Sequence, residues 1–200
     1  MVEISGLFWP DDVGTKWRHS LKHVQSLEWA IARCPRRRTA VQAGGNVGLW
    51  PKRLAASFER VITFEPDDIS RQCLFANVPP TVEIIGAGLG REAADATLER
   101  ESLGSHHIGA VGNPVRLIPL DVLELDDLDF LQLDVEGYEW HALLGATETL
   151  KRCKPLVQVE LRDFGVNYGV TDADVCHLLY SFGYMQVSRQ PGNDVVFEAV

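Results

Sequence analysis

The spacing of apolar residues along the chain changes period several times, and each change marks an element. Trp17, Leu21, Val24, Leu27 and Ile31 recur at steps of three and four. This predicts one amphipathic helix, ended by Pro35. The stretch ahead of it, "LFWPDDVG", holds neither period and reads as irregular. After Pro35 short apolar runs take over. "TAVQA" (39–43), "RVITFE" (60–65), "TVEIIGA" (81–87), "LDFLQLD" (128–134) and "PLVQVEL" (155–161) have the length and β-branched content of buried strands. Between them helical spacing returns at Leu49–Phe58, with Pro51 in the tolerated first turn, at Ile69–Asn77, and at Tyr138–Leu150. In the last of these Trp140, Leu143, Leu144 and Thr147 share a face. A helix at Asp172–Phe182 and a closing strand pair, "YMQVSR" and "DVVFEAV", complete the pattern. A Gly-rich region running to about Pro114 shows no clear period and reads as loop.

Strands alternating with helices predict βαβ units, hence an α/β fold with a mostly parallel seven-stranded sheet and helices on both faces. In such sheets ligands bind beyond the carboxyl ends of the strands, where strand order reverses. Those ends are chemically marked. The first runs into "AGGNVG", the second into "FEP", the third into "GAG" and the fourth into "LDVEG". Gly44, Gly45 and Gly48 do not fit the G-x-G-x-x-G spacing of a dinucleotide turn, which disfavours NAD or FAD. Glu65 stands 21 residues past Gly44, where a carboxylate can accept both hydroxyls of a ribose. A nucleoside without pyrophosphate fits these marks better.

Composition narrows the partners. The 200 residues, 46% of them apolar, suffice for one domain with a real core, and a net charge of −9 argues against a partner held by phosphate neutralisation. A nucleic-acid substrate is therefore disfavoured. The basic run Arg36-Arg37-Arg38 reads as the solvated C-terminal end of the first helix, with a local anion contact as the alternative. No stretch approaches the roughly 18 apolar residues of a membrane span, and the N-terminus lacks a basic segment followed by an apolar one. The four cysteines stand far apart, as reduced thiols would in a cytoplasmic protein.

Taken together, "QAGGNVG", "FEPD", "LDVEGYE" and "PLVQVEL" resemble the FkbM-type S-adenosylmethionine-dependent methyltransferases over about residues 39–162. The resemblance implies a Rossmann-like class I methyltransferase sheet whose final strand is antiparallel and inserted near one edge. It also implies S-adenosyl-L-methionine as cofactor, and methyl transfer to a hydroxyl oxygen of a small-molecule or carbohydrate acceptor. Carried over by position, Gly44, Asn46 and Gly48 lie in the cofactor loop, flanked by Gln42, Ala43 and Gly45. Glu65, followed by Pro66, matches the ribose-binding acid, Ala87 falls beside the adenine, and Asp134 and Glu136 border the reaction centre. This chain departs from the family at two positions, with Gln42 in place of an acid and Gln132 in place of a lysine. The two strands that carry them are neighbours in this fold, so the exchange keeps charge balanced and leaves two amides able to hydrogen-bond each other.

Transfer to an alcohol needs a group to take its proton. Asp134 is the first candidate, with Glu136 and Glu160 next. These acids are also hard oxygen ligands for a divalent cation, but no spacing makes them converge, so no metal is expected. His106 and His107, in "SLGSHHIGA", and Trp9, in "GLFWPDDVG", are candidate substrate contacts, and both segments are free to cover an open crevice. The alternative to an enzyme is a catalytically silent module that binds S-adenosylmethionine or a related nucleoside.

Overall fold

The computed structural model describes residues 1–102, 105–190 and 192–200. The chain begins with an antiparallel hairpin, β1 (Val2–Ile4) and β2 (Leu7–Trp9), where sequence reading had expected irregular structure. Trp9 is the reason it orders. Its ring is fully buried and its Nε1 donates to the Ile4 carbonyl at 3.1 Å. Asn77 clamps the hairpin from outside, accepting from the Phe8 N–H and donating to the Phe8 carbonyl, each at 2.7 Å.

The expected first helix is two, α1 (Trp17–His23) and α2 (Leu27–Arg33), joined by a 3₁₀ turn at Val24–Ser26. Then come β3 (Thr39–Ala43), α3 (Leu49–Ala55), β4 (Arg60–Phe64), α4 (Asp68–Asn77) and β5 (Val82–Ile85). The region read as Gly-rich loop holds four strands instead: β6 (Gly88–Leu89), β7 (Ala94–Ser102), β8 (Ser105–Ile108) and β9 (Asn113–Ile118). They form a second, mainly antiparallel sheet in the order β6-β9-β7-β8. Its charged outer positions, among them Asp95, Arg116 and Glu99, broke the apolar pattern that would have revealed it.

The remaining elements are β10 (Leu128–Leu133), α5 (Glu139–Leu144), α6 (Thr147–Cys153), β11 (Leu156–Glu160), α7 (Asp172–Ser181), β12 (Tyr184–Arg189) and β13 (Asp194–Ala199). One helix was expected over Tyr138–Leu150, and Gly145 explains the break. Its backbone lies so close to the Gly90 carbonyl that a Cβ would collide with it. The chain restarts because Asp121 accepts from the N–H groups of Glu148 (3.0 Å) and Thr149 (2.8 Å), capping α6 from a neighbouring turn.

The main sheet has seven strands in the order β12-β13-β11-β10-β3-β4-β5. β11, β10, β3, β4 and β5 are parallel, and β13 is antiparallel, inserted between β11 and β12. This is the arrangement the sequence resemblance implied. One face packs Leu131, Leu133, Val157 and Val159 against Leu143, Leu150 and Leu179 of α5–α7. The other packs Ala40, Val61 and Phe130 against Trp9, Leu27, Ile31 and Leu54. At the amino end of β10 the buried Asp129 is clamped by Arg38, at 2.7 and 3.0 Å, and approached by Arg36 at 3.3 Å. Only Arg37 of the basic run caps α2, donating to the Ile31 carbonyl at 3.0 Å. The run is thus a structural anchor more than a solvated helix end.

Candidate active site

The carboxyl ends of the parallel strands open into a cleft of about 340 Å³. The turn after β3 forms one wall. Gly44 takes φ +87°, and a Cβ on it would strike the Asp134 carbonyl, so only glycine lets the ends of β3 and β10 meet this closely. Asn46, at φ +46°, follows in the left-handed region. Its Oδ1 is buried and accepts no hydrogen bond from any described residue.

Glu65 stands at the end of β4 as expected. Its Oε2 accepts from the Asn46 N–H at 2.6 Å and its Oε1 from the Asp67 N–H at 2.7 Å. These bonds aim the carboxylate and still leave each oxygen a lone pair. Burial outweighs the two N–H donors and pushes its pKa up to about 7.

Asp134, Glu136 and Glu160, from the ends of β10 and β11, all line this cleft. Burial raises the Asp134 carboxyl above its usual range, although the Glu160 carboxyl hydrogen-bonds to it. Burial and the Asp134 charge push Glu160 up to about 10. Arg162 reaches Glu160 Oε1 at 2.9 Å, but its side chain is 31% exposed and its cation is partly screened by water, so it does not reverse that shift. Glu136, held at φ +54°, is pushed up to about 8 by burial and by Asp134.

The other expected residues divide. Ala43, Gly45 and Pro66 line the cleft. Gly48 caps the start of α3, and Ala87 is buried just before the lining residue Gly88, so neither forms the wall itself. Gln42 is fully buried beneath the turn. Gln42 and Gln132 are register partners on β3 and β10, but they do not bond to each other. Gln42 accepts from the Thr63 hydroxyl at 2.5 Å and donates to the Ala43 carbonyl at 2.9 Å. Thr63, register partner on the other side, supplies the closer donor. The Gln132 amide has no partner among the described residues.

Trp9 is a core residue and does not reach the cleft. Of the histidine pair, His106 lines it, whereas His107 faces the other side of β8 and meets Glu99 at 3.5 Å. Successive residues of a strand point to opposite faces, so both could not have served. Burial lowers the His106 pKa and keeps the ring neutral at neutral pH. Leu103 and Gly104, within the segment expected to close over the crevice, lie outside the described residues.

Lys16, His19, His23, Tyr138 and Arg162 also line the cleft and were not singled out from sequence. The signal for the histidines lay in the polar face of the first helix, where His19 and His23 stand four apart. The second sheet contributes Leu98, Ile108 and Leu117 as an apolar wall. Arg100 ties that sheet to the amino-terminal segment through Asp12 at 2.7 Å, and approaches Asp67 at 3.6 Å.

Comparison with known proteins agrees with this layout. A family model described as the methyltransferase FkbM domain matches residues 42–185. No curated protein matches the chain. Among solved structures, an FkbM methyltransferase from Methylobacillus flagellatus KT is 18% identical with a TM-score of 0.56, covering 81% of this chain and 43% of its own. The chain thus spans less than half the length of that relative. A TehB-like SAM-dependent methyltransferase from Corynebacterium glutamicum is 12% identical with a TM-score of 0.54, covering 95% and 97%. The magnesium protoporphyrin IX methyltransferase of Synechocystis PCC 6803, solved with bound SAM, is 11% identical with a TM-score of 0.53, covering 100% and 86%. At these identities the neighbours establish the fold, and the family model establishes the kinship: this chain belongs to the FkbM family of S-adenosylmethionine-dependent methyltransferases.

Proposed function

We propose that this protein transfers the methyl group of S-adenosylmethionine to a hydroxyl oxygen of a small-molecule or carbohydrate acceptor. The observation that carries the reading is convergence: the Gly44–Asn46 turn, Glu65 and three acids from successive strand ends share one cleft. The residues fit the cofactor. Glu65 keeps lone pairs for two ribose hydroxyls, and the unpartnered Asn46 Oδ1 can accept from a polar group of the ligand. Ala43, Gly45 and Pro66 are the apolar surroundings of that ligand in this reading.

The bound cofactor supplies a methyl group already activated on a sulfonium. The chain's own work is then to orient the acceptor, worth on the order of 7–11 kcal/mol, and to accept a proton, worth roughly 10²–10⁴-fold. Asp134 would take the proton that the acceptor hydroxyl sheds when the bound cofactor supplies its methyl group to that oxygen. Glu160, holding a proton against Asp134, keeps that carboxylate oriented. Glu136 and neutral His106 border the same space and position the acceptor.

The buried, uncharged Gln42 favours the second reading, a silent cofactor-binding module, because no acid stands there to attract the cofactor's ammonium. Two measurements separate the readings. Calorimetric titration with S-adenosylmethionine should show one site per chain, and labelled methyl groups should pass from it into a metabolite or glycan extract. Binding without transfer would support the silent module, and no binding would exclude both.

A further inference from the structure

We propose that His23, Asp134, Glu160 and Asp194 form a binding site for a divalent transition-metal cation at one side of the cleft. One donor atom each from His23, Asp134 and Glu160 lies within 4.8 Å of the others. Their convergence has a topological cause. Asp134 follows the last residue of β10, and Glu160 is the last residue of β11. Because β13 runs antiparallel to β11, its first residue, Asp194, pairs in register with Glu160 and arrives at the same end of the sheet. His23, the last residue of α1, is held edge-to-face against Trp50 at 5.2 Å between ring centroids. His23 and Asp194 lie outside residues 42–185, whereas Asp134 and Glu160 lie within them.

Asp194 supplies an independent observation. It is fully buried, yet neither carboxylate oxygen accepts a hydrogen bond from a described residue. Its Oδ2 instead sits 3.1 Å from His23 Nε2, which is itself without a hydrogen-bond partner and 3.8 Å from Glu160 Oε1. Burying a carboxylate costs several kcal/mol unless a cation is brought to it; a protonated His23, whose pKa the Asp194 carboxylate raises, is one such cation, and a metal ion held by both side chains takes its place in this proposal. Adjacent ligands of a six-coordinate ion with bonds of about 2.1 Å stand about 3.0 Å apart; His23 Nε2 and Asp194 Oδ2 match this at 3.1 Å, and Glu160 Oε1, 3.8 Å from the same nitrogen, closes in on binding.

An imidazole with three carboxylates suits the series from Mn²⁺ to Zn²⁺ better than all-oxygen Ca²⁺ or Mg²⁺ sites. One oxygen per carboxylate suffices for the ion, so Asp134 keeps its second oxygen for a proton. A cation so placed would also draw an acceptor hydroxyl towards Asp134 and ease its loss of a proton.

The test uses the whole chain, stripped with chelator and titrated with Mn²⁺ while the electron paramagnetic resonance signal of the free ion is followed. One equivalent should be taken up without cofactor or acceptor, so this result stands or falls apart from the methyl-transfer reading. His23→Ala and Asp194→Asn should each weaken uptake tenfold or more, while His177→Ala, at an exposed position, should leave it unchanged. Pulsed resonance on the wild-type chain gives a check that needs no variant: the bound ion should couple to one imidazole nitrogen. Free ion throughout, uptake unaltered in both variants, or bound ion with no nitrogen coupling would overturn the proposal.

Discussion

Glu65 shows how a single side chain can be read from sequence in position but not in state. Its place at the end of the second parallel strand followed from "RVITFE", whereas its burial and its two backbone N–H donors depend on the Asn46 turn and α4 closing around it. Two predictions follow from that state. Glu65→Ala should weaken S-adenosylmethionine by about 1.5–3 kcal/mol in calorimetry, the scale of hydrogen bonds to a charged group. Because its pKa is raised to about 7, affinity should also climb between pH 6 and pH 8 as the carboxylate ionises. Glu65→Gln should flatten that climb, and a pH dependence unchanged in the variant would assign it to another group. Asp129 behaves in the opposite sense. Burial opposes its ionisation, but the Arg38 guanidinium and N–H together with Arg36 outweigh it and hold the carboxyl below its usual range. Its contribution to stability is therefore complete above about pH 4 and is lost as pH falls through the lower native value. Urea midpoints measured from pH 5 downward should fall more steeply in the wild type than in Asp129→Asn. Equal slopes would show that the Arg38 clamp carries no linked proton.

The elements of the main sheet were legible because each strand is a short apolar run whose flanking turn residues survive in the fold. TAVQA, for example, is β3 from its first residue to its last. What escaped depends on contacts between distant segments. The break between α5 and α6 is set by the approach of Gly90 to Gly145 and by Asp121, 27 residues before the N–H it caps at Glu148. A periodic pattern carries no trace of either. Asp121→Ala should therefore lower stability by about 1 kcal/mol, the usual worth of a helix cap, with the seven-stranded sheet unaffected. Denaturant unfolding checks this, and a loss within a few tenths would mean that water caps α6 as well. The second sheet was missed for a related reason. β7 and β9 carry charge on their outer positions and only a few apolar residues, Leu98 and Leu117 among them, on the face turned to the cleft. Their pairing, not their composition, makes them strands.

In the whole molecule, the cleft lies between the strand ends of the main sheet and the inner face of the second, with α1 along another side. Sequence order alone brought Gly44, Glu65, Asp134, Glu136 and Glu160 to it, because parallel strands deliver their ends to one edge. It could not bring His23 or Asp194, whose approach depends on α1 folding back and on β13 inserting antiparallel. Trp9 was expected to face a substrate and instead anchors the hairpin, since a large ring gains more from full burial than from a half-wet wall. The Arg100–Asp12 pair joins the second sheet to the amino-terminal segment. With S-adenosylhomocysteine bound, hydrogen exchange should slow over residues 105–114 and, if that tie transmits the change, over 6–13. No change in either would place the acceptor elsewhere. In the proposed reaction the acids at the strand ends serve methyl transfer, and Asp134→Asn probes that role at its first candidate. Labelled-methyl turnover and S-adenosylmethionine affinity should be measured on the same folded protein. Turnover should fall a hundredfold or more with affinity nearly intact, the scale of a lost general base. Turnover within a few-fold of wild type would contradict it.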